Sequence, residues 1–274
     1  MKKIKALVTS GGTSEKIDDV RKITNSGTGA LGAAIAHRFM LEECVGEVTY
    51  LCSANAVRPS GTDKLRVRVA DDVLSVMEAV KDELAENEYD IIVHSMAIGD
   101  YMLKAVTEPA PLAEMIVDKA VLSGDAKGVS RETLARMVED SILDPHAIKE
   151  KKISSDKDSL VFVMVKAPKV IALFRGLAPN AVICGFKLLA GVGREELISV
   201  SRGLLAKNKL DIVLANDMDT IRAGRHKGLL IDKYGRFAEA EGKPAIADII
   251  VHGSIELFNG RYDYEQQREE QSED

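Results

Sequence analysis

The sequence is poor in the residues that build covalent or metal scaffolds. It has three cysteines, Cys44, Cys52 and Cys184. An odd number without metal spacing argues against a disulfide framework, and their apolar neighbours predict reduced, buried thiols. Five histidines are scattered without an HxxxH or HExxH pairing, which argues against a zinc site. No apolar run approaches the roughly 18 residues that cross a bilayer. The apolar run after the basic start at Met1–Lys5 is too short for a secretory leader. A cytoplasmic protein with no membrane partner is expected. A basic excess is also missing: 37 Lys and Arg face 43 Asp and Glu, a net charge of −6. Six acids and two arginines in residues 259–274 supply −4 of it, so the rest is near neutral. Phosphate contacts would demand positive surface, so no nucleic-acid partner is expected.

The 274 residues are 46% hydrophobic and 29% charged, an ordinary globular composition. Short β-branched runs alternate with helical patterns. Strands are predicted at Ile4–Thr9, Glu47–Cys52, Ile91–His94, Leu160–Val165, Ala181–Phe186 and Asp211–Ala215. Most are apolar throughout, as parallel strands covered on both faces are. Leu31, Ala34, Ile35 and Phe39 mark one helix, a stripe over residues 71–88 a second, and Leu197, Val200 and Leu204 a third. The alternation predicts an α/β fold: a doubly wound, mostly parallel Rossmann-like sheet with helices on both faces. Residues 103–150 read as a helical insertion, with a turn at Pro109–Pro111 and helices over 112–122 and 130–142. A hairpin follows Gly228, then a helix near 245–258. The expected organisation is a single domain over residues 1–260 and an acidic, frayed tail over 261–274.

Four strand ends carry polar residues. After the first strand, Ser10-Gly11-Gly12-Thr13 leads into an arm that ends in Gly27-Thr28-Gly29-Ala30-Leu31-Gly32 and opens a helix. Glycines let backbone N–H groups approach a phosphate, and a helix N-terminus adds positive potential. Gly27-x-Gly29-x-x-Gly32 has the form of a dinucleotide fingerprint, which would make the chain a Rossmann-type NAD(P)-dependent oxidoreductase. Against this, 17 residues separate Thr9 from Gly27, and the second strand ends without the acid that holds a ribose. The arm carries Arg21, able to clamp a carboxylate or phosphate bidentately, and Asn25, able to donate to a developing oxyanion. Either could equally be a surface or turn residue. Past the Ile91–His94 strand, Asp100 could bind a hydroxyl, a metal or an amine, or simply close a turn. Phe186 and Lys187 end another strand; the lysine could hold phosphate, and the ring could lie against a base or pack in the core. The last strand delivers Asn216 and Asp217 to the same edge.

Together these features resemble the phosphopantothenate–cysteine ligases, also called phosphopantothenoylcysteine synthetases. The match rests on TSGGTSEKIDDVRKITNSGTGALG at 9–32, HSMAIGDY at 94–101, KISS at 152–155, KAPKVI at 166–171, GFKLL at 185–189 and KNKLDIVLAND at 207–217. It looks like the monofunctional bacterial type, an expectation drawn from length. The resemblance implies a ligase of coenzyme A biosynthesis. A nucleoside triphosphate, CTP or ATP, activates the 4′-phosphopantothenate carboxylate as an acyl nucleotidylate and releases pyrophosphate. L-cysteine's amine then attacks the acyl carbon. Mg²⁺ offsets the triphosphate charge, through ligands the resemblance does not name.

Carried over by position, Asn25, Arg21 and Lys187 are the implied catalytic residues. Gly11, Gly27, Gly29, Gly32, Ala97, Gly99, Lys152, Phe186 and Asn216 are implied to bind the nucleotide, and Asn25 and Asp100 the substrate. A homodimer with a site completed across subunits is implied as well. The chain departs from the family at Gly27-Thr28-Gly29, where Ser-Ser-Gly is usual, and at Ile98-Gly99-Asp100, where Val-Ala-Asp is commoner. A catalytically inactive nucleotide-binding relative is the remaining alternative, against which stand Arg21, Asn25, Asp100 and Asn216.

Overall fold

The computed structural model describes residues 3–61, 63–122 and 130–270. In chain order the strands are β1 (Ile4–Ser10), β2 (Ser14–Lys16), β3 (Lys22–Thr24), β4 (Val45–Cys52), β5 (Leu65–Val69), β6 (Ile91–His94), β7 (Tyr101–Thr107), β8 (Val161–Lys166), β9 (Val182–Leu189), β10 (Ile212–Asp217), β11 (Lys227–Asp232) and β12 (Phe237–Glu241). The helices are α1 (Ala30–Met40), α2 (Val73–Glu86), α3 (Pro109–Leu122), α4 (Arg131–Leu143), α5 (Ile171–Leu177), α6 (Arg194–Asn208), α7 (Met218–Arg222) and α8 (Lys243–Glu270).

Where the sequence suggests one domain with a helical insertion, the chain groups into two compact units. The first comprises residues 1–13, 25–98 and 169–274; the second comprises 14–24 and 99–168. The first unit holds an eight-stranded sheet in the order β12-β11-β10-β9-β6-β1-β4-β5. All its neighbours from β10 to β5 pair in parallel, and β11 and β12 add an antiparallel hairpin. This is the expected doubly wound α/β sheet. Alternation along the strands splits the core. Ala6, Val8, Val48, Tyr50, Val93, Val182 and Leu214 join Ile35 and Phe39 of α1 and Ile246 and Ile250 of α8 in one apolar cluster. Leu7, Ile92, Ile183 and Val213, equally buried, point the other way, where α2, α5 and α6 form the second helical layer. An Asp72–Ser75 capping box starts α2 by satisfying two of its orphan N–H groups.

The second unit holds two small antiparallel ribbons, β2 with β3 and β7 with β8, beside α3 and α4. Here the sequence reading is corrected. The run at Leu160–Val165 forms β8, which is not a parallel member of the main sheet but pairs with β7 from Tyr101↔Lys166 to Thr107↔Val161. A β-branched run reads alike in either setting, and only Val163 of β8 is fully buried. Pro109 and Pro111 do not make a turn; they sit in the first turn of α3, where a missing N–H costs no helical bond. In the first unit, α8 runs on from the expected end near 258 to Glu270, and residues 271–274 lie outside the described residues. Cys52 and Cys184 are buried as expected, whereas Cys44, in the turn before β4, is exposed. No helix among the described residues is long and apolar enough to cross a membrane.

Phe39 is fully buried between α8 and the sheet. Phe39→Ala is expected to cost about 3–5 kcal/mol of stability, read as a lowered urea midpoint with an unchanged slope.

Candidate functional site

The strand order fixes where a ligand can bind in the first unit. From β1 the chain builds outward through β4 and β5, then returns to β1's other side with β6, β9 and β10. The switch point lies between β1 and β6, and crevices at switch points open beyond the carboxyl ends of the strands. Their pairing continues past both strands. Gly12 and Ala97 form a single parallel bridge. Ala97 N–H donates to the Gly11 carbonyl at 2.8 Å, and Thr13 N–H donates to the Ala97 carbonyl at 3.1 Å. Asn25 returns to this point: its N–H reaches the Thr13 carbonyl at 3.0 Å, and its Nδ2 the Ala97 carbonyl at 3.1 Å. Gly11, Asn25 and Ala97, chosen from sequence, are thus tied together by backbone. Gly12 was missed, yet a Cβ there would lie 2.2 Å from the Asn25 carbonyl oxygen. Only glycine lets the two segments close.

Gly27 and Gly29 carry the chain from Asn25 into α1. Gly29, at φ 75°, is the N-cap and has no side chain to cap the helix; the Ala30 N–H reaches Thr28 Oγ1 at 3.4 Å. The first-turn N–H groups of Leu31 and Gly32 lie at the positive end of the dipole, a ready anion site. Ser10 Oγ holds the Gly29 carbonyl at 3.0 Å, and the Tyr50 hydroxyl anchors the adjoining loop through the Val57 carbonyl at 2.7 Å. Burial pushes the Tyr50 phenol up to about 12, so it stays a neutral donor. Gly32 lies deeper and is buried against Ser10 and Ser95, where an added Cβ would sit 2.2 Å from Ser10 Oγ. In the structure it serves helix-to-strand packing.

The ends of β9 and β10 supply the other first-unit candidates. Phe186 is half-buried and packs against the α1–α8 core cluster. Lys187, its neighbour on the strand and also half-buried, projects to the opposite face. Asn216 is buried, and its Nδ2 donates to the Lys227 carbonyl at 2.8 Å, fastening β10 to β11. Asp217 accepts from the N–H groups of Gly191, Val192 and Asp219. These bonds hold its carboxyl below the usual range and close the loop after β9.

Arg21, Gly99, Asp100 and Lys152 belong to the second unit. Asp100 and Lys152 are exposed and Gly99 half-buried; the Asp100 carbonyl accepts from Ala167 N–H. Arg21 is already engaged. Its Nε and Nη2 reach Asp18 Oδ2 at 3.0 and 2.6 Å, and Nη2 also donates to the Ile153 carbonyl at 2.8 Å. Asp18 went unread in the sequence, although its i, i+3 spacing to Arg21 is the usual reach of such a pair.

His94 is a core residue. Its Nδ1 lies 2.7 Å from Thr9 Oγ1 and its ring packs on Phe174 with centroids 5.0 Å apart. Burial lowers its pKa to about 4. A cavity of about 1210 Å³ lined by Leu84, Tyr89, Leu177, Pro179 and Phe258 opens by the beginnings of β1, β6 and β9, away from the switch point. Among the described residues no group of three or more His, Cys, Asp or Glu could hold a metal ion.

Known proteins resemble this chain in sequence and fold. The family described as DNA/pantothenate metabolism flavoprotein C-terminal domain matches residues 1–110. The structure of the DNA/pantothenate metabolism flavoprotein from Streptococcus pneumoniae is 29% identical, with a TM-score of 0.71, over 93% of this chain and 99% of that one. The resemblance to the phosphopantothenate–cysteine ligases is borne out. The coenzyme A biosynthesis bifunctional protein CoaBC of Thermococcus kodakarensis is 27% identical over 84% of this chain and 45% of its own length. That of Methanocaldococcus jannaschii is 26% identical over 78% and 40%. The chain thus spans less than half the length of these curated relatives. A Cab2 mutant in complex with phosphopantothenate-cysteine shares the fold, with a TM-score of 0.65 at 16% identity.

Two measurements follow. Gly12→Ala is expected to destabilise by about 1–3 kcal/mol through overpacking, while Gly61→Ala, where nothing lies within 4 Å of the new Cβ, leaves the thermal midpoint in place. His94, kept neutral by the fold, makes stability fall as pH drops from about 6.5 to about 4, because only the unfolded chain takes up the proton there. The loss amounts to about 3 kcal/mol at about 1.4 kcal/mol per pH unit. A folded His94→Gln chain should show a flatter stability profile over that range in urea titrations.

Proposed function

We propose that the chain is the ligase that joins 4′-phosphopantothenate to L-cysteine in coenzyme A biosynthesis, at the expense of CTP or ATP. The observation that supports this best is the convergence of Gly11, Asn25 and Ala97 with the N-terminus of α1 at the β1–β6 switch point. The agreement of that segment with the family matched over residues 1–110 adds to it. The binding of phosphopantothenate-cysteine by the Cab2 protein of the same fold is consistent with the substrate.

In this reading the N–H groups at Gly27, Gly29 and the first turn of α1 hold nucleotide phosphate. In the first unit Lys187 serves the remaining phosphate charge, and Phe186, Ala97 and Asn216 line the nucleotide; Lys152 and Gly99 of the second unit are assigned to the nucleotide by the resemblance alone. The carboxylate oxygen of 4′-phosphopantothenate attacks the α-phosphorus, and pyrophosphate leaves. Asn25, its amide fixed by Ala97, donates to the oxygen that gains charge as cysteine's amine adds to the acyl carbon. The nucleoside monophosphate then departs. Arg21 meets an anionic group, and Asp100 a substrate hydroxyl or amine. The protein contributes positioning and charge stabilisation rather than covalent chemistry. Mg²⁺, when bound, neutralises phosphate charge; with no cluster of protein ligands among the described residues, phosphates and waters would be its main ligands, as is usual for this ion. Exposed Val117, Val121 and Leu134 on α3 and α4 fit association into a homodimer, in the cytoplasm.

The test is pyrophosphate release by the purified chain with 4′-phosphopantothenate, L-cysteine, Mg²⁺ and either CTP or ATP. Release that requires phosphopantothenate is the expected result, and the ratio of the two rates names the nucleotide. No release with either nucleotide overturns the reading. Asn25→Ala is expected to lower kcat by about 10²-fold or more with an unchanged thermal midpoint.

A further inference from the structure

The second unit contains a buried carboxylate that the ligase reading does not use. Asp18 lies on the turn between β2 and β3 and is 8% exposed. Its Oδ1 accepts from the N–H groups of Val20 at 2.9 Å and Arg21 at 2.7 Å. Its Oδ2 accepts from Arg21 Nε and Nη2 and from the Ile153 N–H at 3.1 Å. Ile153, 2% exposed, answers with its carbonyl, which takes the second Nη2 proton. Next to this, Asp19 N–H donates to the Lys151 carbonyl at 2.9 Å. One carboxylate thus ties the arm carrying Arg21 to the segment carrying Lys152.

The donor count sets what Arg21 can still do. A guanidinium has five N–H groups in a rigid fork. The Nε proton and both Nη2 protons are spent on Asp18 and Ile153. The Nε–Nη2 edge, the usual bidentate grip on a carboxylate or phosphate, is therefore closed to a ligand. Only Nη1 remains, on a side chain that is 43% exposed. The plane of the guanidinium is fixed by the same bonds.

We propose that Asp18 is a positioning residue: it locks Arg21 so that only Nη1 meets the anionic substrate, and through Ile153 it holds Lys152 in register with it. The proposal rests on the ligase reading, in which Arg21 and Lys152 touch substrate. The Arg21 guanidinium, with the three backbone N–H groups, keeps the Asp18 carboxyl far below the usual range. The anchor therefore stays charged at any pH at which the enzyme would be assayed.

The experiment is a double-mutant cycle on the whole chain, reading kcat and KM for 4′-phosphopantothenate alongside the thermal midpoint. Asp18→Asn and Arg21→Gln are each expected to lower kcat/KM about a hundredfold, the scale of a misplaced catalytic contact. The double variant should be no worse than Arg21→Gln alone, because both changes remove one function. Additive losses, or wild-type kinetics in Asp18→Asn, overturn the proposal while leaving the ligase reading intact. A wild-type chain that releases no pyrophosphate overturns both. Should Asp18→Asn not fold, Arg21→Ala decides: added guanidinium is expected to restore activity by occupying the preformed Asp18 site, and absence of rescue overturns the proposal.

Discussion

The constraint on which the first unit depends is the short backbone exchange that carries the β1–β6 pairing beyond its strands. Parallel strands normally diverge at their carboxyl ends as each chain turns into its crossover. Here Ala97 gives its N–H to Gly11 and takes that of Thr13, so the two exits stay side by side. Asn25 then has a fixed place to return to, on Thr13 and Ala97. The start of α1 is set in turn, because only four residues separate Asn25 from Ala30. The requirement for Gly12 is a consequence of this closeness.

Charge in the interior follows one rule throughout. Asp211 is 2% exposed and is met by Arg175 at 2.7 Å, Lys233 at 3.1 Å and the Ile183 N–H at 2.9 Å. Glu83, fully buried, is met by Arg66, Arg68, Tyr89 and Asn87. Desolvation works to raise its pKa and the surrounding donors outweigh it, so the carboxylate lies below its ordinary range. A buried carboxylate is tolerated only when its lone pairs are filled, and Asp18 obeys the same rule. It differs in that its principal partner is a candidate ligand-binding residue, whereas Arg66 and Arg175 serve the frame.

What was legible in the sequence was whatever a repeating pattern records. Strands covered on both faces are continuous apolar runs, so β1, β4, β6, β9 and β10 were readable as strands, and their order in the sheet came only with the structure. Strand β5 was not: Arg66 and Arg68 break its apolar run, and nothing local shows that their charges are matched by Glu83 from α2. Strand β8 was readable as a strand but not as part of a ribbon, since pairing partners are not written in a run of valines. Among the candidate site residues, Gly11, Gly27 and Gly29 were legible because glycines near a strand end announce a loop. Phe186 was open to two readings, and the structure gives its ring to the α1–α8 core cluster. The buried bond of Asn216 to Lys227 spans 11 residues and that of Arg21 to the Ile153 carbonyl 132, and the closure of Arg21 by Asp18 depends on side-chain geometry. Residue type alone does not carry them.

These contacts change the electrostatic character of the proposed site. Read from the sequence, Arg21 is a clamp for a carboxylate or phosphate, and Lys152 and Lys187 are candidates for the phosphates. In the structure Arg21 is largely neutralised by Asp18, and outside residues 259–274 the chain is near neutral. A strong positive field is therefore not what would hold a triphosphate. Besides the two lysines, the groups that remain are oriented dipoles: the first turn of α1 and the glycine N–H groups beside it. Such donors act only at close range and in one direction. They favour an anion that fits the loop over anions in general. In the proposed ligase reading, the glycine geometry, more than the lysine count, would set which phosphate ester is accepted.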